Sequence, residues 1–162
     1  DTEADFLVSG KSGKGVILNV TDRKSRASFL EQIIIVTIEN VHAAFKRIKK
    51  RFPELRTITT DNDLLFQRHK ELEKLLGAKI YFCHQYHSWE KGTVENSNKC
   101  IRKDIPKSSD ISKYPKKLIR SIEDKLQRRF MDCLNHLTPY ETIENYRKQK
   151  KRRGAMRNKK SE

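Results

Sequence analysis

The opening third of the chain alternates short apolar runs with polar turns: "DFLV" is stopped by "SGKSGKG", "VILNV" by "TDRKSR", and "SFLEQIII" completes the series. Runs of this length bounded by Gly, Ser and Asp form strands rather than helices, and the short turns between them make a three-stranded meander. A change of period follows. From Ile38 to Phe52, Val41, Ala44, Phe45 and Ile48 recur at helical spacing with lysines and arginines on the other face, until Pro53 ends the run. "LRTITTDND" then predicts a buried strand with a polar end, "FQRHKELEKLLGAK" a helix capped by Gly77, and "KIYFCH" a further strand. "WEKGTVENSNKCIRKDI" and "YPKKLIRSIEDKLQRRF" predict two helices separated by a loop around "PKSSD". Three strands, helix, strand, helix, strand and then helices make an α/β fold, a five-stranded mixed sheet flanked by helices.

A length of 162 residues suits a single core. Its expected extent is 1–146, followed at 147–162 by a basic tail, "RKQKKRRGAMRNKK", with almost nothing to bury and expected to be disordered or an extended helix. The formal charge is +15, from 36 basic and 21 acidic residues, which makes nucleic acid the expected partner and a solvated basic structural protein the alternative. No stretch approaches the roughly 18 uncharged apolar residues of a membrane span, and the first residues are acidic rather than signal-like, so no membrane association is expected. Cys83, Cys100 and Cys133 form no C-x-x-C pair and read as free thiols in a reducing compartment. Beginning at Asp1 on the threshold of a strand, the chain reads as a piece of something longer.

Acids at the ends of core strands are the informative ones, because they are held rigidly while facing solvent. Asp5 is expected to open the first strand and Asp61 to close the fourth. Either alone is more often a turn former or a helix cap. After a helical crossover, however, the fourth strand can return beside the first, bringing the two carboxylates close. Like charges held together call for a divalent cation, and a third acid would make a two-metal site for phosphoryl transfer. If a helix begins around Gly92 to Val94, then Glu95, Asn98, Lys99 and Arg102 share one face, with Val94, Ile101 and Ile105 on the other. Taken alone, Glu95 is also an ordinary first-turn glutamate stabilised by the helix dipole. Beside a row of cations it becomes the expected third ligand. Glu90 precedes the helix and reads as a solvated loop charge.

The segments "EADFLVSGKSGKG", "VTDRKSR", "TTDN", "YFC", "SWEKGTVENSN" and "LTPYE" resemble the bacterial insertion-sequence transposases with an integrase catalytic core, most closely the insertion-sequence-thirty subfamily. They occur in that family's order and span nearly the whole chain to about Tyr146. The resemblance implies a ribonuclease-H-like fold, DNA cleavage and strand transfer, and a catalytic triad that holds two divalent ions, magnesium or manganese. Its aspartates fall on Asp5 and Asp61 and its glutamate on Glu95, with the Asp61 to Glu95 spacing that this subfamily is known for. It also implies a bacterial, nucleoid-associated protein that binds element ends and target DNA and assembles as a homodimer or larger. Asn98, Lys99 and Arg102 are then expected at the DNA backbone, with Lys91, Trp89 and His87 along the DNA path. The sequence departs from the family's usual pattern at Asp63, Leu65, Ser88 and Phe130.

Other constellations are weaker. His84 and His87 beside Cys83 lack a second pair at zinc-site spacing. "GKSGKG" lacks P-loop spacing and reads as a hairpin turn. Asp22 sits where a turn is needed, and is expected to cap it or to pair with Arg23 or Arg26. A catalytically idle DNA-binding or assembly module with the same fold is the alternative to an enzyme.

Overall fold

Alternation along the strands lays out the sheet. In the computed structural model, which describes residues 1–62, 64–84 and 91–158, β1 (Thr2–Val8), β2 (Val16–Asp22) and β3 (Ser28–Ile33) form the antiparallel meander. Strands β4 (Thr57–Thr60) and β5 (Lys79–Phe82) complete the sheet in the order β3-β2-β1-β4-β5. β4 runs parallel to both β1 and β5, as helical crossovers require. The helices are α1 (Ile38–Arg51), α2 (His69–Leu76), α3 (Gly92–Asp104), α4 (Lys116–Arg128) and α5 (Pro139–Asn158).

Each face of the sheet has its own core. Ala4, Val16, Leu18, Val20 and Ile58 pack with Val41, Ala44, Phe45 and Ile48 of α1 and with Leu72 and Leu76 of α2. On the other face Leu7, Ile17 and Leu30 pack with Ile101 of α3, with Ile105 just beyond it, and with Ile119, Ile122 and Leu126 of α4. Period two therefore turns Glu3, Asp5 and Leu7 of β1, and Ile17, Asn19 and Thr21 of β2, toward α3. Apolar residues hold the far part of that layer, and polar ones hold the part under the start of α3.

Local chemistry sets the ends. Thr37 caps α1, its hydroxyl accepting from the Asn40 N–H at 3.2 Å, and Pro53 follows the last turn. Gly77 takes the left-handed cap conformation, φ 57°, after α2. Thr138 and Glu141 form a capping box at the start of α5, with bonds of 3.1 and 2.8 Å. That helix continues past residue 147 to Asn158, and Arg147 reaches Glu54 at 2.9 Å. The "GKSGKG" hairpin needs its glycines for close approach, since a Cβ at Gly10 would stand 2.7 Å from the Ser108 carbonyl oxygen.

Asp5 does not open β1, contrary to the expectation. The strand starts at Thr2, because Thr2 and Glu3 pair with Ile58 and Thr59 across the parallel junction, and that partner strand is invisible in the local pattern.

An ion-pair network ties α1 and α4 to β3. The carboxylate of Glu31, only 6% exposed, meets Arg47 at 2.7 Å, Arg51 at 2.8 Å and Arg120 at 2.6 Å. Burial pushes its pKa up, but the bonds from Arg47 and Arg120 outweigh burial and leave it below the ordinary 4.5. A depressed carboxylate stabilises the fold above its unfolded pKa, and that contribution is lost as pH falls below 4.5 through the folded value. Glu31→Ala is expected to cost about 2 kcal/mol at neutral pH, a figure already reduced for the half-exposed arginines. Urea melts of the two proteins should converge as the pH is lowered below 4.5.

Candidate active site

Asp5 lies opposite Asn19 in the β1–β2 register and faces α3. Asn98 of α3 joins the two strands: its amide nitrogen donates to Asp5 Oδ2 at 2.7 Å, and its Oδ1 accepts from Asn19 Nδ2 at 2.8 Å. Asn19, fully buried, also donates to Ser97 Oγ at 2.6 Å, and Ser97 in turn lies 3.0 Å from the Thr21 hydroxyl. A buried polar network of this kind stays in place only when its members satisfy one another, so it locks one register of α3 against the sheet.

Asp61 directly follows β4, and the parallel pairing of β4 with β1 brings it to the same side as Asp5. One ammonium connects them. Lys91 Nζ donates to Asp61 Oδ2 at 2.6 Å and to Asp5 Oδ1 at 3.2 Å. The lysine side chain is 5% exposed, against 30% for Asp5 and 63% for Asp61. Burial alone would lower the Lys91 pKa; the Asp61 hydrogen bond and the two carboxylate charges overcome it and hold the group above 10.5. Lys91, expected along the DNA path, here points inward.

Glu95 stands half-exposed in the first turn of α3, one turn before Asn98 and on the same face. Among the described residues its carboxylate receives no hydrogen bond, and no three Asp, Glu, His or Cys side chains are gathered as a metal-holding set. The structure thus brings Asp5 and Asp61 together and leaves Glu95 on a turn anchored to Asp5 through Asn98. Lys99 is exposed. Arg102 is half-buried, donating to the Val8 carbonyl at 2.9 Å; burial draws its pKa below the ordinary guanidinium value, opposed by the Asp5 charge. His87, Trp89, Glu90, Ser88 and Asp63 lie outside the described residues. Of the other departures, Leu65 packs on the core and Phe130 is exposed. Asp22 caps its turn, accepting from the Ser25 N–H at 2.8 Å, while Arg23 pairs with Glu3 and Arg26 donates to the Thr93 hydroxyl.

Glu3 is a positioning residue that sequence reasoning missed. The N-cap of α3 is Lys91, whose side chain makes no cap. Glu3 supplies it from β1: Oε2 accepts from the Val94 N–H at 2.7 Å while Oε1 accepts from Arg23 at 2.8 Å, in a side chain 3% exposed. Two signals pointed there. Glu3 shares the strand face of Asp5, and a lysine before a helix leaves its first N–H groups to be satisfied from elsewhere.

The donor set fits a divalent cation. Asp5 and Asp61 offer hard carboxylate oxygens, partly open to solvent, that already converge on one positive charge. A single ammonium neutralises one of their two charges.

No protein-family model matches the chain. It is 38% identical over 145 residues to the transposase for insertion sequence element IS4351 of Bacteroides fragilis, covering 87% of this chain and 43% of that protein. It is 32% identical over 140 residues to transposase InsI for insertion sequence element IS30A of Escherichia coli K12, covering 85% and 36%. The chain therefore spans less than half the length of these curated relatives. In three dimensions it superposes on the catalytic core domain of BIV integrase with a TM-score of 0.66 at 16% identity, over 92% of this chain and 96% of that one. In sequence the chain is similar, over most of its own length, to bacterial insertion-sequence transposases, and its fold is that of the integrase-type, ribonuclease-H-like catalytic cores.

Proposed function

We propose that the chain is the catalytic core of a DNA transposase, which hydrolyses a phosphodiester at an element end and joins the freed 3′ hydroxyl to target DNA. The observation that carries this reading is the convergence of Asp5 and Asp61, from neighbouring parallel strands, on one cation beside the helix that bears Glu95. Asp5, Asp61 and Glu95 are the residues that would hold two magnesium ions, with manganese as a substitute. When bound, such ions activate the attacking oxygen and stabilise the leaving one. The chain's own part is to fix and orient. Asn98 holds the Asp5 carboxylate, Glu3 holds the first turn of α3, and Lys99 and Arg102 offer cations to the phosphodiester backbone.

The charge of +15 supports a polyanionic partner, and the basic stretch of α5 adds affinity that falls with salt. Joining two element ends calls for at least two copies of the protein, acting in the bacterial cytoplasm where the DNA lies. Among the described residues, no helix is long and apolar enough to cross a membrane.

The test is incubation with labelled donor ends and a target duplex in manganese. Joined products that disappear in Asp61→Asn support the reading. Cleavage of RNA–DNA hybrids without joining would assign a hybrid hydrolase instead. A folded protein that gives neither product, and whose metal binding is unchanged by Asp61→Asn, would leave an idle DNA-binding module.

A further inference from the structure

We propose that Lys91 is a built-in counter-cation of the Asp5–Asp61 pair, one that an incoming divalent ion must displace and that then turns to a DNA phosphate. The inference rests on the reading of those aspartates as metal ligands. It goes beyond that reading by assigning a role to a lysine that neither aspartate requires for chemistry.

Three features carry it. The ammonium lies within hydrogen-bond distance of both carboxylates, and its side chain is 5% exposed although Asp61 is 63% exposed. A surface lysine that happened to pass an acid would stay hydrated, whereas this one has given up water for the pair. Lys91 also occupies the N-cap of α3, where Ser, Thr, Asp or Asn would serve the helix better and where Glu3 has to provide the cap. Its side chain therefore serves the carboxylates and leaves the cap to Glu3. Finally, among the described residues Lys91 makes the only ion pair to either aspartate.

The exchange follows from charge and space. An ammonium neutralises one of the two carboxylate charges, and a divalent ion neutralises both at closer range. The two cations cannot share the position, so loading expels Lys91. Its stem is anchored at the root of α3 and keeps the freed ammonium next to the site, where a phosphodiester is the nearest replacement anion. Metal and DNA then assist each other's binding, and by linkage the assistance is equal in both directions.

Manganese binding to the DNA-free protein, measured by the paramagnetic resonance of free Mn2+, tests this without any turnover. Lys91→Met keeps the apolar stem and removes the charge, and is expected to tighten Mn2+ binding at least about tenfold. Lys91→Gln should shift it in the same direction, and Lys91→Arg should stay close to the parent. Adding a short DNA duplex should tighten Mn2+ binding to the parent and do so less for Lys91→Met. Unchanged or weaker Mn2+ binding in both neutral variants, with the parent's circular dichroism retained, overturns the proposal. Asp61→Asn separates the two layers of inference. If it binds Mn2+ as well as the parent, the aspartates are not the ligands and the proposal falls with them; if it loses binding while the Lys91 variants gain nothing, the ligands stand and only the role of Lys91 is lost.

Discussion

Glu95→Gln is expected to lower DNA joining by at least about a thousandfold, because an amide cannot replace an anionic ligand at a site that develops charge during phosphoryl transfer. The fold should not notice. Glu95 is half-exposed and receives no hydrogen bond from the described residues, so the change forfeits only the favourable interaction of a first-turn acid with the helix dipole, about 0.5 kcal/mol. Circular dichroism and a thermal melt would confirm an intact protein, and joining would be measured in manganese on pre-cut ends. Glu90→Gln, five residues earlier in the same motif, is expected to join DNA at the parent's rate. Equal losses in the two variants, or full activity in Glu95→Gln, would defeat the assignment of Glu95.

The second large effect is expected at Glu3, which touches no reacting group. Glu3→Ala strips the Val94 N–H of its acceptor and removes the carboxylate that accepts from the partly exposed Arg23, a combined cost of about 2 kcal/mol in urea unfolding. Glu3→Gln keeps an oxygen that can accept from the Val94 N–H but replaces the oxygen that accepts from Arg23 with an amide nitrogen, so it should cost about 1 kcal/mol. The catalytic consequence separates the two. Under conditions where both variants are folded, Glu3→Ala should lower kcat by letting the first turn of α3, and Glu95 with it, move relative to Asp5. Glu3→Gln should recover most of that rate, whereas a purely structural role would leave kcat the same in both. An alanine variant as stable as the parent would show that the α3 cap lies elsewhere.

Much of this architecture was legible in the residues. The spacing of Val41, Ala44, Phe45 and Ile48 announced α1, and all four are buried. Gly77 announced the end of α2, and Val94, Ile101 and Ile105 announced the face of α3 that docks, each fully buried. A meander and one crossover allowed the fourth strand to return beside the first, and the observed strand order agrees. What failed was the start of β1. Thr2 and Glu3 are polar and gave no apolar signal, yet they are buried because β2 and the distant β4 pair with them on either side and α3 covers Glu3.

Composition, period and turn chemistry are local properties, and they were enough to decide which segments form strands and helices, which faces are apolar and which acids stand near strand ends. The resemblance to the family's motifs singled out Asp5, Asp61 and Glu95 among them as the expected ligands. Tertiary structure alone decided who touches whom among the charged groups. Lys91 is one cation among 36 basic residues, and nothing in its neighbours says that its ammonium lies between Asp5 and Asp61 rather than in solvent. Glu3 is one acid among 21, and becomes the cap of α3 only when β1 is laid under Val94. Hydrophobic period is averaged over many residues and survives in sequence, whereas a hydrogen bond is set within a few tenths of an ångström by elements far apart along the chain.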